Sequence, residues 1–188
     1  MIAEAALIVV VAGVAGSGKT TVGAALAERL HAEFADADTF HPAANVAKMR
    51  AGQPLTDADR EPWLRAIGDW MDERIAAGQR AVITCSALRR GYRDRLLLGR
   101  PAARMVFLAL RPQAAAARLA GRPGHFFPGR LLDSQFAMLE PPDPAERVLV
   151  VDADQPLDVL VASIAAGLRQ PGGRNVTGDT RPARPEAP

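Results

Sequence analysis

The 188-residue chain has the length of one domain with a sizeable core, and its 48% hydrophobic content and near-zero mean hydropathy describe a globular protein. A net charge of +2 is too small to argue for a nucleic-acid or membrane-surface partner, despite a pI near 9.2. The single cysteine, Cys85, excludes an internal disulfide or a cysteine metal cluster and fits a reducing, cytoplasmic setting.

The apolar N-terminus lacks a basic leader region, carries Glu4, and runs straight into a glycine loop, so Leu7–Ala12 is expected to be strand and not signal. A helix over Thr20–His31 and a strand over Glu33–Ala37 follow. Two helical patterns, about Ala43–Ala51 and Asp57–Ala77, come before the next strand, Ala81–Cys85. Thr56-Asp57-Ala58-Asp59 reads as a capping box with Asp in the place of Glu. A helix near Gly91–Leu98 leads to a strand over Arg104–Leu110. Pro112 stands at the first turn of the next helix, Gln113–Ala120. Helix Pro128–Leu139, strand Arg147–Val151 and helix Pro156–Leu168 complete the pattern. No run approaches the ~18 uninterrupted apolar residues of a membrane span.

Strands that are apolar throughout and alternate with helices predict an α/β fold: a five-stranded parallel sheet covered by helices on both faces. Residues 1–170 are expected to form a single domain. The doubled helix between the second and third strands makes room for a small substrate subdomain at about 39–78. The glycine- and proline-punctuated segment 121–129 is expected to be a lid. Beyond 170 the chain loses apolar periodicity, which predicts a disordered tail over 171–188.

The loop after the first strand reads Gly13-Val14-Ala15-Gly16-Ser17-Gly18-Lys19-Thr20, a Walker A sequence between a strand and a helix. Its glycines let successive backbone N–H groups turn inward toward phosphate oxygens, and the following helix aims its positive end at the same anion. Lys19 can reach the β- and γ-phosphates, and the Thr20 hydroxyl can ligate Mg²⁺. Of 23 basic residues only Lys19 and Lys48 are lysine, so this arginine-preferring chain keeps a lysine where the loop needs one. The expected ligand is a nucleoside triphosphate, held by residues 13–20 with Thr21.

The second strand delivers Asp36-Ala37-Asp38-Thr39-Phe40-His41-Pro42 to the same sheet edge. Read as positions i and i+2 leaving a strand, Asp36 and Asp38 point to one side. One carboxylate there can hold a metal-bound water, and the other can orient and deprotonate an acceptor hydroxyl. Trp63, Trp70 and Met71, at helical spacing, are expected in the core, with Trp63 the secondary choice as a wall of the acceptor site. Cys85 reads as a small buried hydrophobe. The third strand ends Ile83-Thr84-Cys85-Ser86, without the carboxylate that many P-loop proteins place there.

These segments resemble the gluconokinases, a family within the nucleoside-monophosphate-kinase-like and shikimate-kinase-like P-loop group. The matching runs are GVAGSGKTT (13–21), DADTFHP (36–42), NVAKMRAGQPLTDADREPWL (45–64), CSALRRGYRD (85–94), GRPGHFFPGRLLDSQFAMLEPP (121–142) and VDADQPL (151–157), which together cover most of residues 7–168. The resemblance implies ATP- and Mg²⁺-dependent phosphorylation of D-gluconate to 6-phosphogluconate, in sugar-acid catabolism feeding the pentose phosphate or Entner–Doudoroff routes, by a homodimer.

With a polyhydroxy carboxylate as acceptor, Asp38 and His41 can bind hydroxyls, and Lys48, Arg60 and Arg89 are the cations available for the carboxylate. His125 of the lid joins them by resemblance. Arg118 and Arg122 would close over the phosphates, one against the adenine or the α- and β-phosphates and the other on the transferring γ-phosphate. Phe126 and Phe127 would pack the closed lid. The loop carrying Asp154, Gln155 and Pro156 resembles the family's adenine-recognising segment. Mg²⁺ would rest on Thr20, with Asp36 acting through water. The competing expectations are another small-acceptor kinase such as shikimate kinase, against which stands the absence of a triple glycine after the third strand, and a hydrolytic nucleotide switch.

Overall fold

The computed structural model describes residues 5–121 and 129–169. Five parallel strands, β1 (Leu7–Ala12), β2 (Glu33–Asp36), β3 (Arg80–Cys85), β4 (Ala103–Ala109) and β5 (Val148–Asp152), form one sheet in the order β2-β3-β1-β4-β5. β1 lies in the middle, and Ile8 to Ala12 have no solvent exposure. The chain moves from β1 to the β2 edge and later crosses back to β4. This reversal opens a crevice at the carboxyl end of β1, where ligands of such sheets bind.

The period of two along β1 divides the core. Ile8, Val10 and Ala12 pack with Trp63, Ile67 and Met71 of α3 (Asp57–Ala76), Leu96 of α4 (Arg90–Leu97) and Leu132 of α6 (Gly129–Met138). Val9 and Val11 pack with Val22 and Leu26 of α1 (Lys19–Leu30) and with Leu160 and Ile164 of α7 (Leu157–Leu168). Trp63, Trp70 and Met71 are core residues as expected, and Cys85 is buried, its thiol pushed up to about 12 by that burial. The remaining helices are α2 (Ala43–Arg50) and α5 (Pro112–Ala120), the latter with Pro112 in its first turn.

The helix signals read from the sequence operate as physics requires. Thr56 accepts from the Asp59 N–H while the Asp59 carboxylate accepts from the Thr56 N–H, closing the capping box of α3. Element ends lie within one residue of their expected places, and the difference that bears on the site is at the end of β2. β2 stops at Asp36, because the Asp36 carboxylate accepts from the Asp38 N–H (3.1 Å) and Thr39 Oγ1 donates back to the Asp36 carbonyl (2.7 Å). These local bonds win over the strand ladder and turn residues Ala37–Phe40 into a short 3-10 turn. Asp36 and Asp38 therefore do not leave a continuing strand as i and i+2 neighbours.

A buried ion pair ties α4 to the segment before β5. Arg93 on α4 and Glu146 meet at 2.7 Å, with side chains 1% and 5% exposed, and Arg93 Nη1 also donates to the carbonyls of Leu88 and Glu140. Ala87, in the loop so clamped, has a φ of 39°, a conformation costly for a residue with a Cβ.

Candidate active site

The glycine loop leaves β1 with the Gly13 N–H donating to the Ser86 carbonyl. At Gly13 (φ 144°) a Cβ would lie 2.8 Å from the Leu108 carbonyl oxygen, and at Gly16 (φ 79°) 2.9 Å from that of Ala115. Only glycine lets the loop press this closely against the end of β4 and against α5. Lys19 Nζ donates to the Val14 carbonyl at 2.9 Å, which draws the ammonium over the loop. Ser17 is buried. Gly18 caps α1, and no side chain caps that helix, so the amides of its first turn remain available to an anion. The Ala15 N–H donates to Gln135 Oε1 of α6 at 2.7 Å.

Beside the loop lies a cleft of about 300 Å³ lined by Gly16, Gly18, Thr21, Arg118, Gln155 and Leu157 among others. It joins the start of α1 to the loop after β5 and has a mixed apolar and polar lining. Arg118, in the last turn of α5, donates to the Ala153 carbonyl (2.9 Å) and to Asp154 Oδ1 (3.2 Å). Asp154 also pairs with Arg111, so it holds arginines in place, and Pro156 caps α7.

On the other side of Thr20 stands Asp36. Thr20 Oγ1 donates to its Oδ2 (3.2 Å), and Thr84 Oγ1 from β3 donates to its Oδ1 (2.9 Å). Because the Thr20 hydroxyl proton is directed at Asp36, its lone pairs remain free to ligate a cation. Hydroxyl and carboxylate oxygens form a hard donor set, which fits Mg²⁺. Among the described residues no three His, Cys, Asp or Glu side chains cluster as a metal cage, so phosphates and waters would complete the shell.

Asp38 follows in the 3-10 turn, within electrostatic reach of Asp36 and Lys19. Its pKa is raised by desolvation from the surrounding protein and by the negative charge of Asp36, and is partly pulled back by Lys19. A carboxylate shifted in this direction is a better proton acceptor near neutral pH than an ordinary one.

The acceptor-side residues divide around the first turn of α3. Lys48 pairs with Asp59 at 2.6 Å, which holds that carboxylate down at about 2. Arg89 binds both oxygens of Asp57 (3.0 and 2.7 Å). Asp57 and Asp59 are ~200° apart around the helix, so Lys48 and Arg89 are each engaged by a different carboxylate of that turn. Arg60 lies between them: it donates to the Leu55 carbonyl, its guanidinium is 5.9 Å from the Tyr92 ring centroid, and its charge helps to depress His41. Arg89 is 6.0 Å from the same ring, so Tyr92 brings Arg60 and Arg89 together. His41 stacks on Trp63 at 4.3 Å and 11°, and its pKa is lowered to about 4 by burial first and Arg60 second.

Arg122 and His125, the lid at 121–129 apart from its end residues, and the 171–188 tail lie outside the described residues. Thr84, Gln135, Tyr92 and Asn45 were not singled out from the sequence. Each enters through a contact whose partner lies on another element, and none has a local signature.

A family model described as an AAA domain matches residues 8–142. A gluconokinase from Gluconobacter oxydans (strain 621H) is 47% identical over 155 residues, covering 82% of this chain and 87% of that protein. The crystal structure of a gluconokinase from Sinorhizobium meliloti 1021 superposes with a TM-score of 0.78 at 45% identity, covering 86% of this chain and 91% of the other. Shikimate kinase from Aquifex aeolicus, at 17% identity and a TM-score of 0.54, shares the fold alone. Among the described residues no helix is long and apolar enough to cross a membrane.

Proposed function

The chain belongs to the gluconokinase family of P-loop kinases, and from that premise we propose that it transfers the γ-phosphoryl group of ATP to the terminal hydroxyl of D-gluconate, giving ADP and 6-phosphogluconate. The observation that carries this reading is the crevice at the carboxyl end of β1. There Lys19 and the glycine loop stand opposite Asp38, with Arg60 and Arg89 gathered about Tyr92 on the acceptor side.

In this reading the loop amides and Lys19 hold the β- and γ-phosphates and take up the charge that spreads over the transferring group. Arg118 and the Asp154–Pro156 loop flank the nucleotide. Arg60 and Arg89 bind the gluconate carboxylate as planar donors, and His41 binds a hydroxyl. Asp38 accepts the proton of the terminal hydroxyl as its oxygen bonds to the γ-phosphorus and the bond to the bridging oxygen of ADP breaks. Thr20 would hold Mg²⁺ directly and Asp36 through water, and the ion would neutralise charge on the β- and γ-oxygens. Lys48, engaged with Asp59, serves the acceptor side by fixing α2 against α3.

ADP release at saturating ATP, compared for gluconate, shikimate and no acceptor, tests the proposal. Turnover dependent on gluconate supports it. Equal turnover without an acceptor would make the protein a hydrolytic switch, and dependence on shikimate would reassign the acceptor.

A further inference from the structure

An imidazole offers one donor and one acceptor when neutral, and which nitrogen carries the proton decides what a histidine can recognise. At His41 the surroundings decide it. Asn45, 3% exposed, places its Nδ2 2.7 Å from the Asp59 carbonyl oxygen. A carbonyl oxygen only accepts, so the amide must present its NH₂ end there. The same NH₂ lies 3.4 Å from His41 Nδ1 and has a second proton to give but no lone pair to receive one. Nδ1 is then the acceptor, and the proton of the neutral ring sits on Nε2. Trp63 holds the ring plane by stacking on it, and is itself fixed by Nε1–H donation to the Ala37 carbonyl at 2.7 Å.

We propose that Asn45 is a positioning residue that locks His41 in the Nε2–H tautomer, so that His41 meets the sugar-acid acceptor as a neutral hydrogen-bond donor to one of its oxygens and not as a base or a cation. The proposal rests on the reading of His41 as an acceptor-side residue. It leaves proton removal to Asp38, because the one lone pair of the His41 ring is turned to Asn45. The depressed basicity of His41 agrees, since an imidazolium would set Nδ1–H against the Asn45 NH₂.

Long-range proton–nitrogen NMR of the ¹⁵N-labelled full chain tests this directly, with His41→Gln used to assign the signals among the three histidines. At neutral pH without acceptor, the expected result is a His41 Nδ1 shift in the unprotonated range and Nε2 in the protonated range. Asn45→Ala should move both toward averaged values and raise the gluconate KM roughly five- to tenfold, with a smaller effect on kcat. A protonated Nδ1 in the wild-type chain, or a tautomer unchanged in Asn45→Ala, would overturn the lock. If the wild-type spectrum is as expected but saturating gluconate moves none of the His41 signals, the acceptor-facing role fails. Gluconate-dependent turnover, measured separately, would still stand.

Discussion

Gln135 accepts a hydrogen bond at 2.7 Å from the backbone N–H of Ala15, 120 positions earlier in the chain, so α6 is pinned to the glycine loop at a group next to the phosphate site. An acceptor at this point must be neutral if an anion is to bind beside it. Gln135→Glu keeps the size and the contact but adds a negative charge facing the phosphates. The ATP KM should rise at least about tenfold, a cost of ~1.4 kcal/mol, with the melting temperature little changed. Gln135→Leu should do less to ATP binding and more to stability. Steady-state kinetics with thermal melts separate the two outcomes, and an unaltered ATP KM in Gln135→Glu would place this contact away from the phosphates.

Asp36 and Asp38 have different neighbours and should fail differently. Asp38→Asn cannot take a proton, so kcat should fall by ~10²–10⁴ with ATP binding nearly unchanged. Asp36→Asn weakens the acceptor for Thr20 and Thr84, and should raise the Mg²⁺ requirement with partial recovery at excess Mg²⁺. A Mg²⁺ titration of both variants at saturating gluconate decides the assignment. Recovery of Asp38→Asn instead of Asp36→Asn would exchange the two roles.

The raised pKa of Asp38 has a consequence for stability. Since the folded state holds the proton more tightly than the unfolded chain, the favourable contribution is complete below the ordinary carboxylate value of 3.8. It is lost as pH rises through the elevated folded value. At neutral pH the ionised side chain therefore works against folding, and Asp38→Asn should melt no lower than the wild-type protein while losing activity. A clear drop in its melting temperature at pH 7 would contradict this.

His41 has the opposite sign. With a folded pKa near 4 against an ordinary 6.5, the unfolded chain binds the proton first, so stability is present above 6.5 and falls between about 6.5 and 4. His41→Gln should flatten the dependence of the unfolding midpoint on pH across that window. An unchanged slope would mean that another group titrates there.

Arg93 and Glu146 are buried together, and removing one leaves the other charge without its partner. Glu146→Gln, or Arg93→Met, should cost about 3–5 kcal/mol in denaturant unfolding, compared with at most ~1 kcal/mol for the exposed Arg65–Glu61 pair. A loss below ~1 kcal/mol in Glu146→Gln would show that the Arg93 clamp on the Leu88 and Glu140 carbonyls does not depend on the ion pair.

The parts of this architecture that could be read from the sequence are those whose causes are local. The apolar run of β1, the glycines before Lys19 and the Thr56–Asp59 capping box each act within a few residues, and each stands where it was expected. The bend at Asp36 is also local, yet the sequence pattern does not show it, because a side-chain bond to the Asp38 amide competes with a strand and leaves no periodicity. Thr84 and Gln135 reach Asp36 and Ala15 across 48 and 120 positions. Tyr92 gathers Arg60 and Arg89 from separate elements. Only the folded sheet brings these groups together. Lys48 and Arg89 pair with different carboxylates in the first turn of α3, which the sequence order of the three candidate cations does not show.

Transfer of a phosphoryl group to one hydroxyl of gluconate is tested most directly by phosphorus and carbon NMR of the products formed from ATP and D-gluconate. The expected result is one phosphate monoester per ADP released, coupled to the terminal carbon of gluconate, with no inorganic phosphate beyond the rate seen without acceptor. Inorganic phosphate accumulating in step with ADP, or a phosphoryl group on any other carbon, would contradict it.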